Sequence, residues 1–128
     1  MELRTFGKSG VQVPVVGMGT WQTLDVRGEA AEANASAIVD AALNAGANFF
    51  DSSPMYGQAE RVLGKTLDGR RDKAFVATKV WASTTDEGRK QIANALRYYG
   101  NRVDLYQIHN LLAWRDQLIQ LEHLMADG

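Results

Sequence analysis

The chain predicts an α/β fold in which four strand–helix units follow a short N-terminal hairpin and build a parallel sheet. Three observations carry this. Four chemically distinct side chains, Thr20, Asp51, Lys79 and His109, recur 31, 28 and 30 residues apart, each near the end of an apolar run. A βαβ crossover needs about 30 residues, so each step holds one strand and one helix. The helical stripes between the runs stop at Gly46, Gly69 and Gly100, as helices do where a left-handed residue is needed. One parity of the third and fourth runs is partly polar, with Lys79 on one and Gln107 and His109 on the other. A central strand covered by helices on both faces would be apolar on both, so this pattern favours a barrel interior over a doubly wound sheet. Eight units of about 30 residues make a (β/α)8 barrel of roughly 250 residues; four make half of one.

Residues 2–6 and 11–15 flank Gly7-Lys8-Ser9-Gly10 and read as a hairpin. Residues 15–21 form the first parallel strand, and residues 30–45 a helix with Ala35, Ile38, Val39, Ala42 and Leu43 on one stripe. Phe49-Phe50-Asp51 is the second strand. A helix from about Ala59 carries Val62, Leu63 and Leu67 on one face. Residues 74–81 are the third strand. Thr84-x-x-Glu87 is a capping box that opens a helix with Ile92, Ala93 and Leu96 inward. Residues 105–109 are the fourth strand, and the last helix places Trp114, Leu118, Leu121 and Met125 at helical spacing. No linker or low-complexity tract interrupts the series, so residues 1–128 read as one domain: a hairpin at 2–15 and βα units from about 15 to 127.

Composition is that of a globular domain, with 45% hydrophobic and 23% charged residues. A net charge of −1, without a basic run, excludes the electrostatic footprint of nucleic-acid or anionic-membrane binding. No run approaches 18 apolar residues and the N-terminus lacks a leader pattern, which points to the cytoplasm. With no cysteine and only two histidines, 14 residues apart, neither a disulfide nor a metal centre is expected.

Alternation puts Phe75, Ala77 and Lys79 on one face of the third strand and Leu105, Gln107 and His109 on one face of the fourth, the polar tips together. A lysine closing an apolar strand needs a counter-charge, and Asp51, ending the neighbouring strand, is the nearest by topology. The loop Ser52-Ser53-Pro54-Met55-Tyr56-Gly57 then carries the Tyr56 phenol over the sheet end, beside Lys79. A cation about 4 Å from a phenol oxygen at effective dielectric about 20 contributes about 4 kcal/mol toward the phenolate. Tyr56 as proton donor and His109 as second donor can polarise a carbonyl oxygen, as hydride addition requires. No side chain supplies a hydride, so a redox cofactor must.

Five strings, Gly17-Met18-Gly19-Thr20-Trp21, Phe50-Asp51-Ser52-Ser53-Pro54-Met55-Tyr56-Gly57, Ala59-Glu60-Arg61-Val62-Leu63-Gly64, Ala77-Thr78-Lys79-Val80 and Asp104-Leu105-Tyr106-Gln107-Ile108-His109-Asn110, resemble the aldo-keto reductases in the right order over essentially the whole chain. The resemblance implies a TIM barrel and NADPH, with NADH as the alternative. It also implies an aldehyde or ketone as the small-molecule partner and a catalytic tetrad of Asp51, Tyr56, Lys79 and His109. Tyr56 is then the general acid, Lys79 eases loss of its proton, Asp51 pairs with Lys79 and His109 orients the carbonyl. Gly19, Thr20 and Asp51 are expected near the cofactor, and Trp21, Trp81, His109 and Asn110 around the substrate.

Family members run to roughly twice this length, so the resemblance implies a truncated, N-terminal half of a barrel, with the barrel's phosphate-binding loops after strands seven and eight outside it. Such a half-barrel is expected to be weakly active at most and to self-associate through its open face, with Phe49, Phe75, Ala77 and Leu105 unpartnered. A non-enzymatic half-barrel with a relic tetrad is the alternative. Singly, each of the four residues has an ordinary reading, as loop starter, loop aromatic, snorkelling lysine or strand-end polar group. Their conjunction at neighbouring strand ends is what favours a site. His123, on the last helix, is read as a surface or packing residue.

Overall fold

The computed structural model describes residues 1–126. Strands β1 (Leu3–Thr5) and β2 (Gln12–Pro14) pair antiparallel, with Leu3 opposite Pro14 and Thr5 opposite Gln12. Strands β3 (Met18–Gly19), β4 (Phe49–Asp51), β5 (Phe75–Val80) and β6 (Leu105–Ile108) form a second sheet in that spatial order, every neighbouring pair parallel. The connections run through α1 (Glu29–Asn44), α2 (Ala59–Thr66) and α3 (Thr85–Tyr98), and α4 (Trp114–Ala126) follows β6. Sequential parallel neighbours joined by helices are the order of half a barrel.

One parity of the sheet makes the core. Phe50 and Val76, opposite each other in register, pack with Ala35 and Val39 of α1, Val62 and Leu63 of α2 and Ala95 of α3, all essentially removed from water. A smaller cluster joins Val80, Ala82, Ile92 and Leu121 beneath α3 and α4. Burial of such side chains contributes about 1.5–3 kcal/mol each, so these helices dock because their apolar stripes have a sheet face to cover. The other parity holds Phe49 stacked on Phe75 at 4.9 Å, half-buried Leu105 and fully buried Ala77, and ends in Asp51, Lys79 and Gln107. Ala77 is therefore not left open as expected.

Three sequence readings are corrected. The first parallel strand is short, because Val15 gives its backbone N–H to Glu2 of the hairpin and Val15 and Val16 stay exposed. Gly17 then passes so close to Phe49 that an added Cβ would lie 2.9 Å from the Phe49 carbonyl oxygen, and pairing begins only at Met18. In α3 the inward residues are Ile92, Ala95 and half-buried Leu96, with Ala93 exposed. In α4 the buried positions are Gln117 and Leu121, while Trp114, Leu118 and Met125 face outward. Gln117 earns its interior place by donating to the carbonyls of Ala82 and Thr84, both at 3.1 Å. Thr84 caps α3, its hydroxyl accepting from Glu87 N–H at 3.3 Å. No described helix is long and apolar enough to cross a membrane.

Candidate active site

The C-terminal ends of β3 to β6 and the loops that leave them converge at one rim. Asp51 ends β4 and Lys79 lies near the end of β5, two residues past Ala77, which is the register partner of Asp51. That stagger lets the Lys79 ammonium reach back to both Asp51 carboxylate oxygens, at 2.8 and 2.7 Å, and to the Ser52 carbonyl at 2.8 Å. All three ammonium protons are thereby used. Gln107 of β6 adds a third hydrogen bond to the carboxylate, its amide reaching Asp51 Oδ1 at 3.0 Å. The carboxylate thus ties β4, β5 and β6 together at the rim.

The loop after β4 is a turn written by its residues. Tyr56 N–H donates to the Ser53 carbonyl at 3.0 Å across Pro54 and Met55, and the Ser53 hydroxyl accepts from Met55 N–H at 3.2 Å. Serine first and proline second are the preferred order in such a turn. Asp25 then accepts from Gln58 N–H at 2.8 Å, which caps α2 from a distant loop, and Gly57, at φ +57°, leaves room for that carboxylate. Tyr56 is held over the rim as a result. Its ring lies 5.3 Å from the Lys79 ammonium and 5.7 Å from the His109 ring, edge to face. None of the hydrogen bonds found among the described residues uses the Tyr56 hydroxyl.

His109 opens a short 3-10 turn, His109–Leu111, directly after β6. Of the residues that follow, Asn110, Leu111 and Ala113 have positive φ, which asparagine tolerates but which costs Leu111 and Ala113 roughly 1–2 kcal/mol each. Ser53 Oγ is 2.8 Å from His109 Nδ1 and links the tyrosine loop to this turn. Burial, and next the Lys79 charge, hold the imidazole below its ordinary value, with Asp51 opposing. Behind the sheet, Glu60 of α2 accepts from the Thr78 hydroxyl at 2.5 Å, and burial pushes its carboxyl up to about 7.

The remaining expected residues divide. Trp21 stands exposed, its ring 6.4 Å from that of Tyr56, and Gly19 lies opposite Asp51 in register. Thr20 is fully buried, its hydroxyl bonded to the Asp51 carbonyl oxygen at 3.0 Å and to Ser52 Oγ at 2.9 Å. It braces the strand end from within. The Trp81 backbone is clasped by the Gln91 amide and Asn110 is exposed. Ser53, Gln107, Asp25 and Glu60 take parts that sequence spacing does not assign.

Comparison with known proteins points to one family. The profile of the aldo/keto reductase family fits residues 15–127. Aldo-keto reductase YhdN of Bacillus subtilis is 30% identical over 95% of this chain and 40% of its own length, and L-galactose dehydrogenase of Arabidopsis thaliana is 36% identical over 87% and 39%. Among solved structures, the holo form of aldo-keto reductase AKR11C1 from Bacillus halodurans superposes with a TM-score of 0.83 at 27% identity, and an aldo-keto reductase from Klebsiella pneumoniae in complex with NADPH with 0.82 at 26%. Each superposition covers all of this chain and 47% of the other. The chain therefore spans less than half the length of these relatives. With the family profile over nearly all of it and the rim assembled from the matching strings, the chain belongs to the aldo/keto reductase family.

Proposed function

We propose that this chain carries the proton-transfer half of an NADPH-dependent reduction of aldehydes or ketones to alcohols. The observation that supports this most is the nearness of the Tyr56 ring to both the Lys79 ammonium, at 5.3 Å, and the His109 ring, at 5.7 Å. Tyr56 gives its hydroxyl proton to the carbonyl oxygen as negative charge develops there. Lys79, fixed by Asp51 and the Ser52 carbonyl, stabilises the charge left on the phenol oxygen without spending a hydrogen bond on it. His109 is the second donor to the same oxygen and sets its direction. Gln107 keeps Asp51, and through it Lys79, in place.

The rim fits the reactive end of a nicotinamide cofactor. Beside Asp51 and Gln107, both polar and partly exposed, an added Cβ on Gly19 would meet nothing within 4 Å, so a flat, amide-bearing ring has an open polar floor. Trp21 forms an aromatic wall next to it. Bound NADPH, or NADH in its place, supplies the hydride that no side chain here can. The loops that barrels use for phosphates follow strands seven and eight, and this sequence holds four βα units, so the isolated 128-residue chain binds cofactor weakly and turns over slowly.

The test is a titration of NADPH fluorescence with the purified chain, followed by turnover of an aldehyde with wild type and Tyr56→Phe. The expected result is a fluorescence change on binding in both, with the rate of the variant lower by 10²–10⁴-fold, the usual worth of a positioned proton donor. A rate unaffected by the substitution refutes the role of Tyr56. Absence of both binding and turnover in wild type refutes activity of the isolated chain and favours the non-enzymatic half-barrel.

A further inference from the structure

We infer that Ser53 is a positioning residue which locks His109 in the neutral tautomer with its proton on Nε2. The serine is fully buried and belongs to the turn that holds Tyr56, whose N–H bonds to the Ser53 carbonyl. A hydroxyl offers one proton and two lone pairs. One lone pair receives Met55 N–H at 3.2 Å, and His109 Nδ1 lies at 2.8 Å.

Two arrangements fit that second distance. If Nδ1 carried the proton, it would donate to Ser53, and the serine's own proton would be a buried donor without an acceptor, since no third hydrogen bond of this hydroxyl is found among the described residues. An unpaired buried donor disfavours that arrangement by on the order of tenfold or more. In the other arrangement Ser53 donates, Nδ1 accepts and every group is satisfied. The proton then sits on Nε2, at the far end of the ring from Ser53. The imidazolium suffers the same defect as the first arrangement, because its Nδ1–H must also donate to Ser53. Of the charged and titratable groups around His109, Lys79 on β5 likewise opposes the cation, Asp51 on β4 favours it, and the Tyr56 ring on the loop after β4 lies 5.7 Å away in a T-shaped contact.

The consequence for carbonyl polarisation rests on the function proposed above: a neutral Nε2–H presented to the substrate beside the Tyr56 hydroxyl, with one turn setting both donors. The inference itself is tested without cofactor or substrate. The chain has two histidines, and His123 is exposed, so ¹⁵N-histidine spectra contain their own reference, assigned with His123→Gln. Above neutral pH, Nδ1 of His109 is expected unprotonated and displaced from the corresponding His123 resonance by an accepted hydrogen bond, with Nε2 protonated. In Ser53→Ala that displacement disappears and the His109 titration midpoint rises by about half a unit to one unit, the worth of one neutral hydrogen bond.

A proton on Nδ1 in wild type overturns the inference, whether or not the variant folds. An unchanged resonance and midpoint in folded Ser53→Ala overturns it as well. Failure of carbonyl turnover moves neither spectrum, so the two readings fall separately.

Discussion

Glu60 shows how much one side chain can couple folding to pH. Its carboxyl is buried behind β5, bonded to Thr78, and raised from 4.5 to about 7 chiefly by burial, with the Thr78 bond and the Lys79 charge opposing. The folded state therefore holds this proton more tightly than the unfolded chain. Below about pH 4.5 both states are protonated and the contribution is complete; between about 4.5 and 7 the unfolded chain ionises first and stability falls; above 7 the curve is flat. The loss is on the order of 3 kcal/mol. Glu60→Gln is expected to abolish that slope, and urea midpoints of both proteins from pH 4.5 to 8 check it; a wild type that does not weaken over this range relative to the variant refutes it. At this scale the sequence shows residues that end apolar runs, which is why Asp51, Lys79 and His109 are readable, and Tyr56 through its turn. It does not show Ser53, Asp25 or the bond from Gln107 to Asp51. Those are polar groups whose partners lie 56, 33 and 56 residues away, and nothing periodic marks them.

At the scale of elements, α2 and α3 are brought together by Gly64, where an added Cβ would collide with the backbone carbonyl of Tyr98. Backbone cannot step aside as a flexible side chain can. Gly64→Ala is expected to cost about 1–3 kcal/mol as an overpacked contact, despite alanine's better helix propensity, and thermal unfolding measures it. A variant as stable as wild type would show that the two helices can separate without loss. Helix ends were readable because their signals are local: Gly69 and Gly100 adopt positive φ just beyond α2 and α3, and Thr84 caps as its spacing to Glu87 predicts. The face of α4 was not, because its apolar residues outnumber the places that bury them. A glutamine with two carbonyl partners takes an inside position, and Trp114 instead lies under the Arg115 guanidinium at 4.4 Å. The first strand misled for a related reason, since a run of valines is claimed partly by the hairpin.

For the whole molecule, the four-stranded sheet has β3 and β6 as its edges, and large apolar side chains remain in water, among them Val16, Trp21, Leu111, Ile119 and Met125. Unpaired edges and exposed apolar surface favour association. The 128-residue chain is expected to exceed the mass of a single copy in light scattering at high concentration, and a stable monomer there counts against it. The parallel order of the sheet has a different bearing on ancestry. Asp51 and Lys79 are aligned by backbone ladders between neighbouring strands, His109 follows the end of the last of them, and Tyr56 is held by a turn closed through main-chain atoms, so most substitutions on the outward helix surfaces leave their mutual placement alone. A chain so arranged can rewrite its exterior without disturbing its backbone, and a TM-score of 0.83 at 27% identity is in keeping with that.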